Sequence, residues 1–177
     1  MIDGDEKLLI LNAINGEASA FGFLYNKYQP KIYRFIYYKV SHREEAEDLC
    51  HQVFLNAWQN IADYKYQGFS FSAWIYSIAR NKVIDYYRTK KNHQNIDDVQ
   101  IIIDDGGPNV NLDDKIEKEN LKKAICELLP DEQDIIILRF IEDMNLKDTA
   151  KILNKSEISV RVKQHRAIKN LRKIYKS

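Results

Sequence analysis

The side chains best suited to chemistry in this 177-residue chain are the basic ones near its C-terminus. Residues 155–177 carry eight Lys and Arg side chains and one acidic residue, Glu157, although the net charge of the whole chain is only +1. Charge concentrated on one short segment favours contact with a phosphate backbone. The segment therefore predicts noncovalent recognition of nucleic acid.

The residues around this basic segment follow the pattern of a helix-turn-helix. A short helix with one apolar face comes first, formed by Leu146, Ala150 and Leu153. Asn154 stands where the chain must leave that helix, because Asn tolerates a left-handed backbone. Ser156 is a suitable N-cap for a second helix, whose buried stripe would be Val160, Ala167 and Leu171. The opposite face can enter a major groove, where Arg pairs with guanine; it contains Ser159, Arg161, Val162, Lys163, His165 and Arg166.

A solvated amphipathic hairpin would show the same pattern, so this segment alone leaves DNA binding open. Catalytic constellations are weaker still. Glu47 and His51 have the spacing of a helical metal pair, but no second such motif accompanies them, and the sequence lacks a phosphate-binding glycine loop and a nucleophile elbow. We expect no enzymatic activity, no metal and no cofactor.

The elements that position these side chains are predicted to be helices. Gly and Pro number only 6 and 3, and the apolar residues follow helical periodicity. We therefore expect an all-α chain of two small helical domains, residues 1–92 and 113–177, joined by a flexible acidic linker, residues 93–112. The linker holds a Gly-Gly-Pro breaker and four acidic residues without Lys or Arg. Its apolar stretch, Ile101–Ile103, fits either a buried strand-like connection or a segment that docks on a partner.

Three helical segments are expected in the first domain. The aromatic-rich segment 21–40 contains Pro30, which should start, kink or interrupt a helix. Ser41 and Glu44 have the capping-box spacing that opens the next helix, whose apolar stripe is Ala46, Leu49, Cys50, Val53, Phe54, Ala57, Trp58 and Ile61. The third segment, 71–91, buries Trp74, Ile75 and Ile78 and exposes a basic C-terminal half: Arg80, Asn81, Asp85, Arg88, Lys90 and Lys91.

Composition also suggests where the chain works. Cys50 and Cys126 are far apart in apolar helical patterns, which predicts buried reduced thiols rather than a disulfide. The acidic N-terminus does not resemble a signal peptide, and no apolar run is long enough to span a bilayer. We expect a cytoplasmic protein with no membrane insertion of its own.

Three motifs in order resemble the bacterial RNA polymerase sigma factors of the sigma-70 family, and more narrowly the extracytoplasmic-function (ECF) group. They are AEDLCHQVFLNAW at 46–58, FSAWIYSIARNKVIDYYR at 71–88, and LPDEQDIIILRF at 129–140 with LKDTAKILNKSEISVRVKQHRAIKNL at 146–171. The resemblance covers nearly the whole chain. It implies a σ2-like helical bundle at 1–92 and a σ4-like helix-turn-helix domain at 113–177.

The resemblance also implies roles for residues. The set Asp48, Leu49, His51 and Gln52 matches the segment that docks on the polymerase β′ subunit. The loop with Tyr64, Lys65, Tyr66 and Phe69, and the helix with Asn81, Lys82, Asp85, Tyr86 and Arg88, match the parts that capture and hold the melted −10 element. Arg139 joins Ser159, Arg161, Val162, Lys163, His165 and Arg166 as positions that match contacts to the −35 element. Thr149 and Gln164 replace the family's usual Ile and Leu, which should weaken the local core slightly.

The partners implied are core RNA polymerase, through its β and β′ subunits, promoter DNA and an anti-sigma factor. Two other readings remain open at this stage. One is a helix-turn-helix regulator outside the sigma family, whose first domain senses or dimerises; the other is a nucleic-acid-processing enzyme such as a recombinase. Binding to core polymerase separates the three.

Overall fold

The computed structural model describes residues 2–93 and 112–176. All regular structure in these two ranges is helical, which confirms the predicted all-α class. We refer to residues 2–93 as the N-terminal module and to residues 112–176 as the C-terminal module. Most of the expected linker, including Ile101–Ile103 and the Gly-Gly-Pro breaker, lies outside the described residues. The expected flexibility of that segment therefore stays a prediction.

The N-terminal module consists of four helices around an aromatic core. They are α1 (Ile2–Ile14), α2 (Ala18–Val40), α3 (Arg43–Asn60) with a 3₁₀ turn (Ile61–Asp63), and α4 (Phe71–His93). Helix α2 packs against α1, α3 and α4. The predicted apolar stripe of α3 is buried, except that Trp58 is only partly covered against the core. Burial of this stripe against α2 and α4 is what leaves the polar face of α3 in solvent.

Helix α2 is continuous through Pro30, so the proline neither starts nor interrupts it. Ring contacts hold the helix on both sides of the proline. Tyr25 lies 4.7 Å from Phe54 on the N-terminal side, and Phe35 lies 5.6 Å from Tyr76 on the C-terminal side, between ring centroids. Tertiary packing here outweighs the local preference of proline.

The capping-box prediction at Ser41 was wrong. Ser41 ends α2 in a left-handed conformation with φ 55°, and α3 begins at Arg43 with His42 as its N-cap. An N-cap needs an extended backbone, which Ser41 does not have. Its hydroxyl instead lies 3.2 Å from the sulfur of Cys126. Cys126 is exposed, against expectation, whereas Cys50 is buried as predicted.

The C-terminal module contains the predicted helix-turn-helix. Its elements are α5 (Leu112–Cys126), α6 (Pro130–Ile136) with a π-helical turn (Ile137–Ile141), α7 (Leu146–Leu153) and α8 (Glu157–Lys176). Asn154 ends α7 in the left-handed region with φ 53°, and Ser156 Oγ accepts a hydrogen bond from the Ser159 backbone N–H at 3.2 Å. Val160 and Ala167 are fully buried, and Leu171 is half-buried. The turn and the buried stripe are therefore confirmed.

The two modules pack against each other along one contact surface, which we call the seam. It is formed by α2, α4 and the loop 64–70 on one side and by α5, α6, the π-helical turn and α7 on the other. The apolar cores of the two modules meet there. The division into separately folding domains stays a prediction, since packing in one conformation does not measure independent folding.

Candidate polymerase and nucleic-acid interfaces

Helix α8 presents the predicted groove-binding face to solvent. Its buried stripe packs against α6, so the opposite side is free. Arg161, Val162, His165 and Arg166 are exposed, and Ser159 is half-exposed beside them. Two guanidinium groups and an imidazole on one exposed helix face can approach the bases and phosphates of a major groove. The structure thus brings together most of the predicted −35 set.

Two members of that set have protein partners. Lys163 Nζ donates to the carboxylate of Asp131 at 2.7 Å, and Lys155 Nζ lies 3.3 Å from the same carboxylate. The hydrogen bond from Lys163, followed by that from Lys155, holds the pKa of Asp131 below its usual value although partial burial opposes this shift. Asp131 therefore positions both lysines at the edge of the exposed α8 face.

Arg139 is half-buried rather than free. Its Nε donates to Gln164 Oε1 at 3.1 Å, and Nη1 donates to the backbone carbonyl of Met144. Gln164, which was expected to weaken the core, therefore has a polar partner, Arg139 of the π-helical turn. Thr149 is fully buried, and its hydroxyl donates to the Asn145 carbonyl at 2.8 Å, so it also has a partner.

The loop 64–70 surrounds a small aromatic and basic cavity. Its volume is 290 Å³, and its lining includes Tyr64, Lys65, Phe69 and Trp74. The Tyr64 ring lies 5.0 Å from that of Trp74, whereas Tyr66 is 75% exposed. An aromatic wall beside a lysine is the arrangement on which an unpaired base can stack while its phosphate is neutralised.

Helix α4 continues from this loop with the other predicted −10 residues. Asn81, Asp85 and Arg88 are exposed, and Arg88 pairs with Asp85 at 2.7 Å. Lys82 and Tyr86 are half-buried, with the Tyr86 hydroxyl donating to the carboxylate of Glu45. The exposed side of α4, with Asn81, Asp85 and Arg88, is the second predicted −10 surface.

Arg80 does not belong to that surface, which corrects the prediction that it is exposed. Only 18% of its side chain is accessible, and its Nε donates to Asp134 Oδ2 at 2.8 Å. Asp131 and Asp134 lie near the N-terminus of α6. Their contacts with Arg80 also place them at the seam.

The predicted polymerase-docking residues lie on α3. Asp48, His51 and Gln52 are exposed on its polar face, whereas Leu49 is 6% exposed and belongs to the core. Leu49 therefore anchors the helix and does not itself offer a side chain to a partner. Glu47 forms an ion pair with Arg43 at 2.9 Å. Nowhere in residues 2–93 and 112–176 do three potential metal ligands gather.

Comparison with known proteins identifies the family. Residues 24–93 match the model of sigma-70 region 2, and residues 124–173 match that of sigma-70 region 4. The chain is 30% identical over 175 residues to the ECF RNA polymerase sigma factor SigW of Bacillus subtilis, covering 89% of this chain and 90% of SigW. The chain belongs to the ECF sigma factors. Proteins of this family are transcription initiation factors and not enzymes.

Another relative of this sigma factor is BldN of Streptomyces coelicolor, also an ECF RNA polymerase sigma factor. The identity is 32% over 169 residues, covering 94% of this chain but only 64% of BldN. The chain thus spans about two thirds of that relative's length. SigX of Bacillus subtilis is 29% identical, and 82% of it is covered.

Solved structures share the fold. CnrH in complex with the cytosolic domain of CnrY matches with a TM-score of 0.75 at 20% identity, covering 96% of both chains. The sigma factor RpoE in complex with the anti-sigma factor NepR, from Bartonella quintana, matches with a TM-score of 0.71 at 23% identity, covering 88% of this chain and 96% of that one. Among the described helices of the present sigma factor, none is long and apolar enough to cross a membrane.

Proposed function

We propose that this sigma factor binds core RNA polymerase and directs promoter-specific initiation by reading a −35 duplex and a melted −10 strand. The observation that carries the proposal is that one chain holds two different nucleic-acid surfaces. One is the exposed basic face of α8, suited to a groove of duplex DNA. The other is the aromatic cavity of the loop 64–70 with α4, suited to unpaired bases.

The two surfaces bind different parts of the promoter. Arg161 and Arg166 contact the −35 duplex, with Lys163 as a phosphate contact at the edge of the face. Asn81 and the loop 64–70 act on the −10 strand, because an aromatic cavity can hold a base only after it has left the stack.

The exposed polar face of α3 is the proposed contact to the β′ subunit of core polymerase. Asp48 offers an exposed carboxylate on that face. The C-terminal module would contact β, and the chain would work in the cytoplasm, where polymerase is found. An anti-sigma factor is a further proposed partner, since two proteins of similar fold form complexes, RpoE with the anti-sigma factor NepR and CnrH with the cytosolic domain of CnrY.

Co-purification with core RNA polymerase tests the proposal. We expect the full chain to form a complex with purified bacterial core enzyme on a size-exclusion column. Asp48→Arg should weaken this complex by at least tenfold, since like charges brought together at an interface cost several kcal/mol. Asp114→Arg, with the same charge change at an exposed position of α5, is the matched control and should bind normally.

Two results would oppose the proposal. Absence of any complex with core polymerase, together with tight sequence-specific binding of duplex DNA by the free chain, would indicate a regulator outside the initiation machinery. Equal core affinity for the wild type and Asp48→Arg would remove α3 from the polymerase interface.

A further inference from the structure

Two branched apolar side chains are exposed on the groove-binding face of α8. Ile158 is 75% exposed and Val162 is 57% exposed. They are four residues apart, so they lie one turn from each other on the same side of the helix. Val162 belongs to the −35 set that the family resemblance implies, whereas Ile158 does not. The basic face of α8 therefore has an apolar component that its charge does not describe.

The helical period places both side chains opposite the buried stripe of α8. At about 100° per residue, Ile158 and Val162 each lie within about 20° of the direction opposite Val160, which is fully buried. Arg161 and Arg166 lie on either side of this line, and both are exposed. When such a helix enters a groove, the side opposite its packed face points at the floor. Ile158 and Val162 are thus directed at the bases.

Local stability does not account for these two residue types. Side chains that branch at Cβ are poorer helix formers than Ala or Lys, and an exposed position offers no burial in compensation. Ile158 is also the second residue of α8, where acidic and small polar residues interact more favourably with the free N–H groups. Single exposed apolar residues are common on protein surfaces. Two that are one turn apart between two arginines indicate a role in binding.

The major groove offers one apolar group to such side chains. Thymine carries its C5 methyl group there, whereas the other features of the base edges are hydrogen-bond donors and acceptors. A contact between this methyl group and a branched side chain removes apolar surface of both from water. Ile158 and Val162 therefore have the chemistry to favour an A·T pair over a G·C pair, while the flanking arginines can pair with guanine.

The spacing of the two residues fits neighbouring base pairs. Four residues of an α-helix span about 6 Å along its axis, and successive base pairs are about 3.4 Å apart. A recognition helix places its N-terminal residues nearest the base edges, and Ile158 lies in the first turn of α8. The two side chains can therefore reach methyl groups that are about one to two base pairs apart.

We propose that Ile158 and Val162 read thymine methyl groups in the −35 element and thereby set its preference for A·T pairs. The inference rests on the proposed function, because that function assigns α8 to a −35 duplex. A −35 element chosen by this sigma factor then contains A·T pairs whose thymine methyl groups face α8. Arg161 and Arg166 pair with neighbouring guanines or hold phosphates.

Replacement of thymine by deoxyuridine tests the contact at single methyl groups. Core polymerase with the full chain selects promoters from a random DNA library, and each thymine of the −35 element is then replaced in turn. Deoxyuridine keeps the base pair and removes only the methyl group. For the wild-type holoenzyme, we expect at least one such replacement to weaken promoter binding about fourfold, the effect of exposing one methyl group to water.

Ile158→Ser and Val162→Ser complete the double-mutant cycle. Each variant should bind the thymine promoter less tightly than the wild type, and at its own contact it should bind thymine and deoxyuridine within about 1.5-fold of each other. Ile116→Ser is the matched control, since Ile116 is a 48% exposed isoleucine of α5, and it should keep the wild-type response at every thymine. Deoxyuridine between the −35 and −10 elements should leave binding unchanged for all four proteins.

The outcomes for this contact and for the proposed function are distinct. If no holoenzyme forms, or if it selects no −35 element, the proposed function fails and the thymine contact fails with it. If the selected element lacks A·T pairs, or the wild type binds deoxyuridine as tightly as thymine throughout, only the thymine contact is refuted. A variant whose loss simply adds to that of deoxyuridine at every position excludes its residue from the contact. If that variant also binds core polymerase weakly, the residue docks on protein instead of DNA.

Discussion

At the scale of single residues, neighbouring side chains of α8 differ in what they are free to do. Arg161 and Arg166 point into solvent, whereas Lys163 is engaged by Asp131. Free guanidinium groups can form bidentate pairs with guanine, while an engaged ammonium must first exchange its partner. We therefore place most of the −35 specificity on the two arginines.

Substitution of Arg161 tests that assignment. Arg161→Ala should weaken binding of the holoenzyme to promoter duplex by about 1–3 kcal/mol if a bidentate guanine pair is lost. Lys169→Ala, at an exposed position on the same helix, should cost less and act equally on all sequences. Fluorescence anisotropy with matched and mutated −35 duplexes provides the measurement, and equal losses for both variants would contradict the assignment.

The two cysteines give a residue-scale test of the fold. Burial raises the pKa of Cys50 to about 12, so almost none of it is thiolate at pH 8, whereas Cys126 is exposed. We expect one fast-reacting thiol per native chain with Ellman's reagent and two in guanidinium chloride. Cys126→Ser should abolish the fast phase and Cys50→Ser should keep it. Two fast thiols in the native chain would show that Cys50 is not in the core.

At the scale of elements, Asp131 ties α6 to α8 through Lys163 and Lys155. Its lowered pKa means that the ionised carboxylate favours the folded state. The stabilisation is present above the ordinary value of 3.8 and is lost as pH falls through the lower pKa of the folded chain.

Thermal unfolding of Asp131→Asn measures this contribution. The variant should melt below the wild type at pH 6, and the difference should shrink as pH falls below the ordinary value of 3.8, since the wild type then loses the same contribution. Asp143→Asn, at an exposed position outside the helices where Asn also tolerates the left-handed backbone, should not change the midpoint. A difference for Asp131→Asn that is constant with pH would indicate a packing effect instead of an ionic one.

The sequence predicted an element correctly where neighbouring residues alone determine its turn and its buried face. The helix-turn-helix followed from the positions of Asn154, Ser156 and the buried stripe, because turn and capping preferences act within a few residues. The predictions at Pro30 and Ser41 relied on equally local rules, yet the outcomes were set by ring packing and by the left-handed end of α2. Local preferences of about 1 kcal/mol for a cap and about 3 kcal/mol for a proline can be outweighed by tertiary packing.

At the scale of the whole molecule, local sequence patterns could not predict the seam. Arg34 and Glu142 are 108 residues apart, and Ser70 and Asp148 are 78 apart. A buried acid that pairs across modules has the same sequence signature as one that caps a helix, as Asp134 shows. The family resemblance supplied the exposed surfaces of α3, α4 and α8, whereas the residues of the seam could be found only from the folded arrangement.

As a whole molecule, the chain is expected to act as a sigma subunit together with polymerase and not alone. The most direct measurement is a permanganate footprint on promoters selected from a random DNA library by core polymerase plus the chain. We predict that thymines about 10 base pairs upstream of the start become reactive only when both proteins are present, and that Asn81→Ala reduces this reactivity while retaining binding to the closed promoter. Contradiction would come from a library in which the free chain selects one duplex motif by itself and core polymerase adds neither strand opening nor transcription.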